Sequence, residues 1–143
     1  TVLTRPPQSP YDLIVIDAGE REGISTGAQV FMPEGVMLGR VYETNSSSAK
    51  IRLLSTFGEK FEAVLERDNS PVILEGRGAG NFRMKISREI LVEKGDRIVT
   101  ADLGYHLIAI VEEVRVEATD SFQEVLARFP GNIFNLRLVS VTK

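Results

Sequence analysis

A seven-residue cassette occurs twice in this chain, 68 positions apart when measured from Gly27 to Gly95, and it constrains the fold more than any other feature. The first copy is Ile24-Ser-Thr-Gly27-Ala-Gln-Val30; the second is Val92-Glu-Lys-Gly95-Asp-Arg-Ile98. Both read apolar-x-x-Gly-x-x-apolar, and both run through a second glycine, Gly35 or Gly104, into a β-branched stretch. A repeated supersecondary unit is a fold-level signal, and two copies fall short of the roughly three that a solenoid needs. They suit two related small β units in one chain. Equivalent positions in a repeat should share one backbone conformation, so Gly27 and Gly95 are both expected at positive φ, where a β-branched side chain is strained.

With 143 residues the chain can form one domain or two very small ones, and 43% apolar residues suffice for a packed core. A net charge of −3 gives no attraction for a phosphate backbone, so nucleic acid is not expected as a partner. The absence of cysteine excludes disulfides and thiol chemistry. No run approaches the roughly 18–20 apolar residues that span a bilayer, and no signal peptide is present. Position 1 is Thr1 rather than Met, so the chain is expected to be a processed form or an excised fragment.

The prolines of residues 4–10 cannot join a sheet centrally, because proline removes a ladder donor. Residues 1–10 are therefore expected to be a linker from something upstream. Short β-prone runs then alternate with turn signals. Leu13–Ile16 is a continuous apolar run, expected either buried on both faces or in a barrel wall. Gly19 and Gly23 sit in the turns that follow it. Pro33-Glu-Gly35 reads as a hairpin connection. Gly39, inside the returning strand, predicts a bulge or a sharp bend. Gly76-Arg-Gly-Ala-Gly80 reads as a flexible turn between strands, and the doubled Glu112-Glu113 interrupts an alternating strand and predicts a bulge. From Ser121 to Phe129 the periodicity alone favours a helix, with a capping-box pattern at Ser121 and Glu124. Alternation of Val125, Ala127 and Phe129 fits a strand as well. With ten or eleven short strands, the spacing argues for all-β barrels or sandwiches.

No reaction centre emerges from the residues. One histidine, His106, rules out a His-rich metal site. Asp17, Glu20 and Glu22 cluster in a turn without EF-hand spacing, and a solvated acidic turn is the plainer reading. A serine-type triad would need His106 with a residue such as Asp120 and a serine, but no Gly-x-Ser-x-Gly elbow is present. The Gly76–Gly80 glycines lack the spacing of a phosphate loop. No catalytic, cofactor-binding or metal residue is assigned.

From about Tyr11 to Val141 the chain resembles the extracytoplasmic domain of the bacterial rod shape-determining MreC family. The resemblance rests on Arg5-Pro-Pro-Gln-Ser-Pro-Tyr-Asp12, Ile16-Asp-Ala-Gly19, Gly23-Ile24, Gly27, Val30 and Gly39-Arg-Val41 in the first half, with Leu53-Leu54-Ser55 at its end. In the second half it rests on Gly76–Gly80, Ile90, Gly95-Asp96 and Val99-Thr100. Two departures occur. Thr100-Ala-Asp102 stands where the family has Thr-Ser-Gly, and Tyr105-His-Leu-Ile108 replaces a Phe-Pro-x-Gly turn.

The resemblance implies an all-β fold of two small six-stranded barrels, similar to those of chymotrypsin-like proteases but without a catalytic site. It implies a first barrel over residues 11–56 and a second over 57–131. A return of the last strand, within 132–142, to the first barrel would tie the halves together. In that fold the segment 121–129 is a strand, and the family pattern overrides the helical periodicity. Gly19, Gly23, Gly27, Gly39, Gly95, Asp96 and Gly104 become structural turn residues.

The function implied is a non-enzymatic scaffold of the cell-elongation machinery at the extracytoplasmic face of the inner membrane. It would be anchored by an upstream transmembrane helix and coiled coil, from which residues 1–10 lead, dimerise, and contact MreD and a class B penicillin-binding protein. Tyr105 and Leu107 are candidate partner anchors; the plainer reading has them filling the second barrel. The alternatives are a degenerate hydrolase, against which the unpartnered His106 counts, and a β-barrel module of a periplasmic adaptor.

Overall fold

The computed structural model describes residues 2–4, 12–102, 104–116, 119, 121–131 and 138–142. Among them the regular elements are strands, apart from one short 3-10 turn at Glu20–Glu22. In chain order the strands are β1 (Val2–Thr4), β2 (Leu13–Ile16), β3 (Gln29–Phe31), β4 (Met37–Thr44), β5 (Ala49–Leu53) and β6 (Lys60–Leu65). They continue with β7 (Ser70–Gly78), β8 (Asn81–Ser87), β9 (Arg97–Thr100), β10 (Leu107–Val116), β11 (Phe122–Arg128) and β12 (Ser140–Val141). Two units result. One is a six-stranded sheet in the order β1-β2-β5-β4-β3-β12; the other is a closed barrel, β10-β11-β8-β7-β6-β9. The all-β class with six strands in each unit is thus observed. Closure is confined to the second unit, and the first is a half-barrel edged by β1 and β12.

The alternation of side chains explains the strands. In β2, Ile14 and Ile16 are buried while Leu13 and Val15 are half-buried, so this run is a barrel wall and is not buried on both faces. In β11 every second residue (Gln123, Val125, Ala127) points inward, and the strand pairs with both β8 and β10. The helical spacing of Phe122, Val125, Leu126 and Phe129 loses to this because Phe122 lies at the exposed end of the strand, and one-in-two burial fills the barrel. The bulge at the doubled glutamate is present: Val111 pairs with Ala127 and Glu113 with Leu126, which leaves Glu112 as the extra residue. A single buried apolar cluster runs through both units, from Ile14, Ile51 and Val30 to Leu74, Met84, Ile98 and Val125.

Four expectations are corrected. Residues 1–10 are not wholly a linker: Val2–Thr4 pair antiparallel to β2, and Val2 is 8% exposed. The prolines do not prevent this because they come after β1; residues 5–11 lie outside the described residues. Gly39 is not a turn residue; it lies inside β4 directly beside the expected bulge, whose extra residue is Leu38. The register shifts fall on either side of it, opposite Val30/Phe31 and between Val41 and Glu43. Gly39 is needed because an added Cβ would sit 2.2 Å from the Arg52 carbonyl oxygen on β5. The glycine-rich 76–80 segment is not all turn, since β7 runs through Gly78 and the reversal is at Ala79-Gly80. Gly104 is not the counterpart of Gly35. The left-handed position after the second cassette belongs to Tyr105, at φ +46°, as Gly35 is at +88° after the first.

Candidate functional site: the seam between the two units

Both cassettes build one turn in the same way. Gly27 is at φ +89° and Gly95 at +93°, with open space where a Cβ would project. The Gly27 N–H donates to Val41 O at 2.8 Å, and the Gly95 N–H to Val111 O at 2.8 Å. Val41 N–H returns to Ala28 O and Val111 N–H to Asp96 O, at 2.9 and 2.8 Å. The flanking apolar residues, Ile24 and Val30 or Val92 and Ile98, are buried. Each turn therefore pins the start of one strand (β3, β9) against the next (β4, β10).

Asp96 adds a feature to the second copy. Its carboxylate accepts from Arg67 Nη2 at 2.7 Å and Nε at 2.9 Å, and from the Glu93 N–H at 2.9 Å. The Arg67 hydrogen bonds hold the Asp96 carboxyl below its usual range, and the same fork pushes the Arg67 guanidinium up.

The units meet along a seam with two ends. At one end the crossing segment Ser55–Gly58 lies on the glycine-rich strand β7. Gly58 N–H donates to Gly76 O at 3.0 Å, and Gly76 N–H to Glu59 O at 2.8 Å. A Cβ on Gly76 would stand 2.1 Å from Thr56 O, which is why that position is glycine. Ser55, 3% exposed, accepts from Gly80 N–H at its hydroxyl (2.9 Å) and from Gly78 N–H at its carbonyl (2.6 Å). Asp12 completes this end: its carboxylate accepts from Ala79 N–H at 2.9 Å. Burial pushes the Asp12 carboxyl up against the opposing pull of that hydrogen bond.

At the other end the first sheet touches the turn between β9 and β10. Gln29 Nε2 donates to Asp102 Oδ2 at 3.2 Å, and the Phe31 ring lies 4.5 Å, centroid to centroid, from His106. Asp102 Oδ1 accepts from Thr100 Oγ1 at 2.8 Å and from Gly104 N–H at 2.9 Å, and these contacts hold its carboxyl below its usual range, the Thr100 hydroxyl most of all. Thr100 Oγ1 in turn accepts from His106 N–H at 2.9 Å. The hydroxyl beside the one histidine is therefore fully engaged in shaping the turn, and the imidazole packs, tilted by 52°, against an aromatic ring of the other unit. This arrangement orients backbone; it does not align a nucleophile with a base.

The sequence-selected residues scatter accordingly. Gly19 lies under the Asn45–Ser48 turn, where a Cβ would meet Asn45 O at 2.2 Å, and its N–H donates to Glu22 Oε2 at 3.0 Å. Gly23 is left-handed at φ +82° after the 3-10 turn. Asp17, Glu20 and Glu22 are exposed, and among the described residues no group of three or more acidic or histidine side chains converges on a metal position. Asp120 lies outside the described residues. Tyr105 is 58% exposed, Leu107 half-buried and Ile108 buried. Gln29, Phe31 and Gln123 escaped sequence reasoning, and Asp12 and Ser55 entered it only as members of family motifs. Gln123 is a buried amide that donates from Nε2 to Ser87 O and Ile90 O, at 3.0 and 2.6 Å, and ties down the loop after β8. Only the density of glycines at 76–80 signalled that another segment approaches there.

Comparison with known proteins agrees with this architecture. The family model described as rod shape-determining protein MreC, barrel core, matches residues 2–143. The chain belongs to the MreC family. Proteins of this family determine rod cell shape. The chain is 24% identical over 154 residues to the cell shape-determining protein MreC of Listeria monocytogenes, covering 100% of this chain and 52% of that protein. It is 26% identical over 145 residues to the MreC of Haemophilus influenzae, covering 96% of this chain and 41% of that protein. It thus spans about half the length of these relatives. Among solved structures, MreC from Pseudomonas aeruginosa superposes with a TM-score of 0.88 at 21% identity, over 99% of this chain and 96% of that one. An MreC from Listeria superposes at 0.77 and 23% identity, over 98% and 71%. At these identities the superpositions establish the fold.

Proposed function

We propose that this chain is a non-enzymatic scaffold of the bacterial cell-elongation machinery. It acts at the extracytoplasmic face of the inner membrane and binds morphogenesis and peptidoglycan-synthesis proteins, a class B penicillin-binding protein and MreD among them. The match of the MreC barrel core to residues 2–143 carries this reading. The chemistry of the seam supports it. Catalysis needs a nucleophile, a base and an orienting group in mutual reach, and here Thr100, Asp102 and His106 are committed to holding a turn.

The reading treats residues 11–56 with the returning 132–142 as one unit and 57–131 as the other. Pairing of β12 with β3 and the separate closure of β6 to β11 support that division. The full-length protein is read as a homodimer anchored by an upstream helix. Gly19, Gly23, Gly27, Gly39, Gly95, Asp96 and Gly104 serve the scaffold by shaping backbone and contact no partner. Tyr105 and Leu107 form the partner anchor. Tyr105 projects from the β9–β10 turn into solvent, and a large exposed aromatic is the residue type that binding hot spots favour.

Replacing Tyr105 and Leu107 together by serine tests the anchor. The expected result is loss of penicillin-binding-protein capture by the full-length protein with an unchanged melting temperature. A lower melting temperature with capture retained would return both residues to the core. Labelling of the chain by a covalent serine-hydrolase probe would overturn the non-enzymatic reading.

A further inference from the structure

Building on the scaffold reading, we propose that the cleft between the two units binds an extended segment of a partner protein in which an apolar residue stands between an acidic and a basic one. The cleft measures about 370 Å³ and lies between β3 and β4 of the half-barrel and β6 and the end of β9 in the barrel. Its apolar lining comprises Met37, Leu54, Phe61 and Ile108, contributed by both units. Volume and lining fall in the range of sites that seat large apolar side chains, and such sites favour the junctions between units.

Three charged residues line the cleft, and with Asp102 already engaged by Gln29, Thr100 and the Gly104 N–H, the other two make it directional. Arg40 on β4 and Glu62 on β6 both line it, both are exposed, and neither has an ion pair or hydrogen bond among the described residues. Arg40 stands directly across the β4–β5 register from Arg52. Like charges so placed repel. Arg52 is relieved by Glu59 at 3.2 Å and by the Tyr42 ring, 4.2 Å from its guanidinium carbon. Arg40 has no such relief, so a carboxylate entering the cleft meets an unneutralised fork. Glu62 lies across from apolar Ile73 on β7, which leaves its carboxylate equally uncompensated. The two residues belong to different sheets, so a bound segment spans the seam with its acid toward Arg40 and its base toward Glu62.

The larger opening, about 620 Å³ on the outer face of the barrel, offers no such pair. There Glu75 is bound to Arg83 at 3.2 Å and Glu124 to Arg115 at 3.7 Å, while Lys85 lies over the Phe122 ring.

The test uses two capped heptapeptides containing arginine, leucine and aspartate spaced by glycines, one in that order and one reversed. Each is titrated into the isotope-labelled chain and followed by amide chemical shifts. The expected result is saturable shifts at Arg40, Phe61 and Ala101, with one peptide preferred. Arg40→Glu should weaken the preferred peptide about tenfold, the effect of losing one charge-assisted contact. The double swap R40E/E62R should invert the order of preference. Absence of cleft shifts at millimolar peptide, or affinities indifferent to both substitutions, would overturn the proposal. If neither peptide binds while the full-length protein still captures the penicillin-binding protein, the cleft falls and the scaffold reading stands. If the swap inverts peptide preference while capture fails for the unaltered protein, the scaffold reading falls and the cleft stands.

Discussion

The two units share a core order of strands yet differ in closure. In the half-barrel the run β2-β5-β4-β3 corresponds to β8-β11-β10-β9 in the barrel, and the cassettes stand at the same place in each. Beyond that run, β1 pairs with β2 as β7 pairs with β8, and β12 pairs with β3 as β6 pairs with β9. The remaining step is β6 to β7. These strands form a hairpin through a tight turn, where Ser70 N–H donates to Asp68 Oδ1 at 3.0 Å and Asn69 takes φ +60°. Their counterparts β1 and β12 are three and two residues long and come from distant parts of the sequence. Closure thus depends on whether the last two strands are neighbours in the chain. A four-residue connection makes their pairing local, whereas joining residues 2–4 to 140–141 would close a long loop for very few ladder bonds. Identical turns do not make identical units.

The largest effect expected from breaking this comparison lies at the crowded glycines. Gly76→Ala should destabilise by about 3 kcal/mol, because its Cβ meets the Thr56 carbonyl and backbone must move. Gly39→Ala should do the same in the half-barrel against Arg52 O. Urea midpoints measure both, and a change below about 0.5 kcal/mol at either would show that the approach is not needed.

Next come the cassette glycines. Gly27→Val and Gly95→Val should each cost about 1–3 kcal/mol, through strain at positive φ with no steric contact. Equal costs would confirm that the two turns are energetically equivalent; a large inequality in denaturation midpoint would break the equivalence.

The smallest effect concerns Asp96, whose counterpart in the first cassette is Ala28. Its carboxyl is held below the usual value of 3.8, so the stability it contributes is present at neutral pH and lost as pH falls below about 4 toward the folded value. Asp96→Ala should lower stability at pH 7 by about 1 kcal/mol, modest because Arg67 is partly exposed. It should also flatten the acid limb of the melting curve against pH. An unchanged acid limb would show that the Arg67 fork is not coupled to folding.

Much of this was legible in residue order. The cassette at 24–30 and 92–98 announced two related β units, the doubled glutamate marked its bulge, and the glycines at 27 and 95 marked left-handed turns. All of these are local: φ sterics and two-residue periodicity act over a few neighbours. The segment 121–129 shows where locality fails. Its apolar residues satisfy a helical period as well as a strand's, and pairing with β8 and β10 on both sides decides for the strand. The candidate site failed in the same way. Asp12 reaches Ala79, Gln29 reaches Asp102 and Phe31 packs against His106 across separations that no spacing rule spans. By itself the sequence determined an all-β chain, its turns and its apolar faces. Tertiary structure alone decided which unit closes, which glycines are crowded by another strand, and that Arg40 and Glu62 stand unpaired across one cleft, because these depend on which distant segments become neighbours.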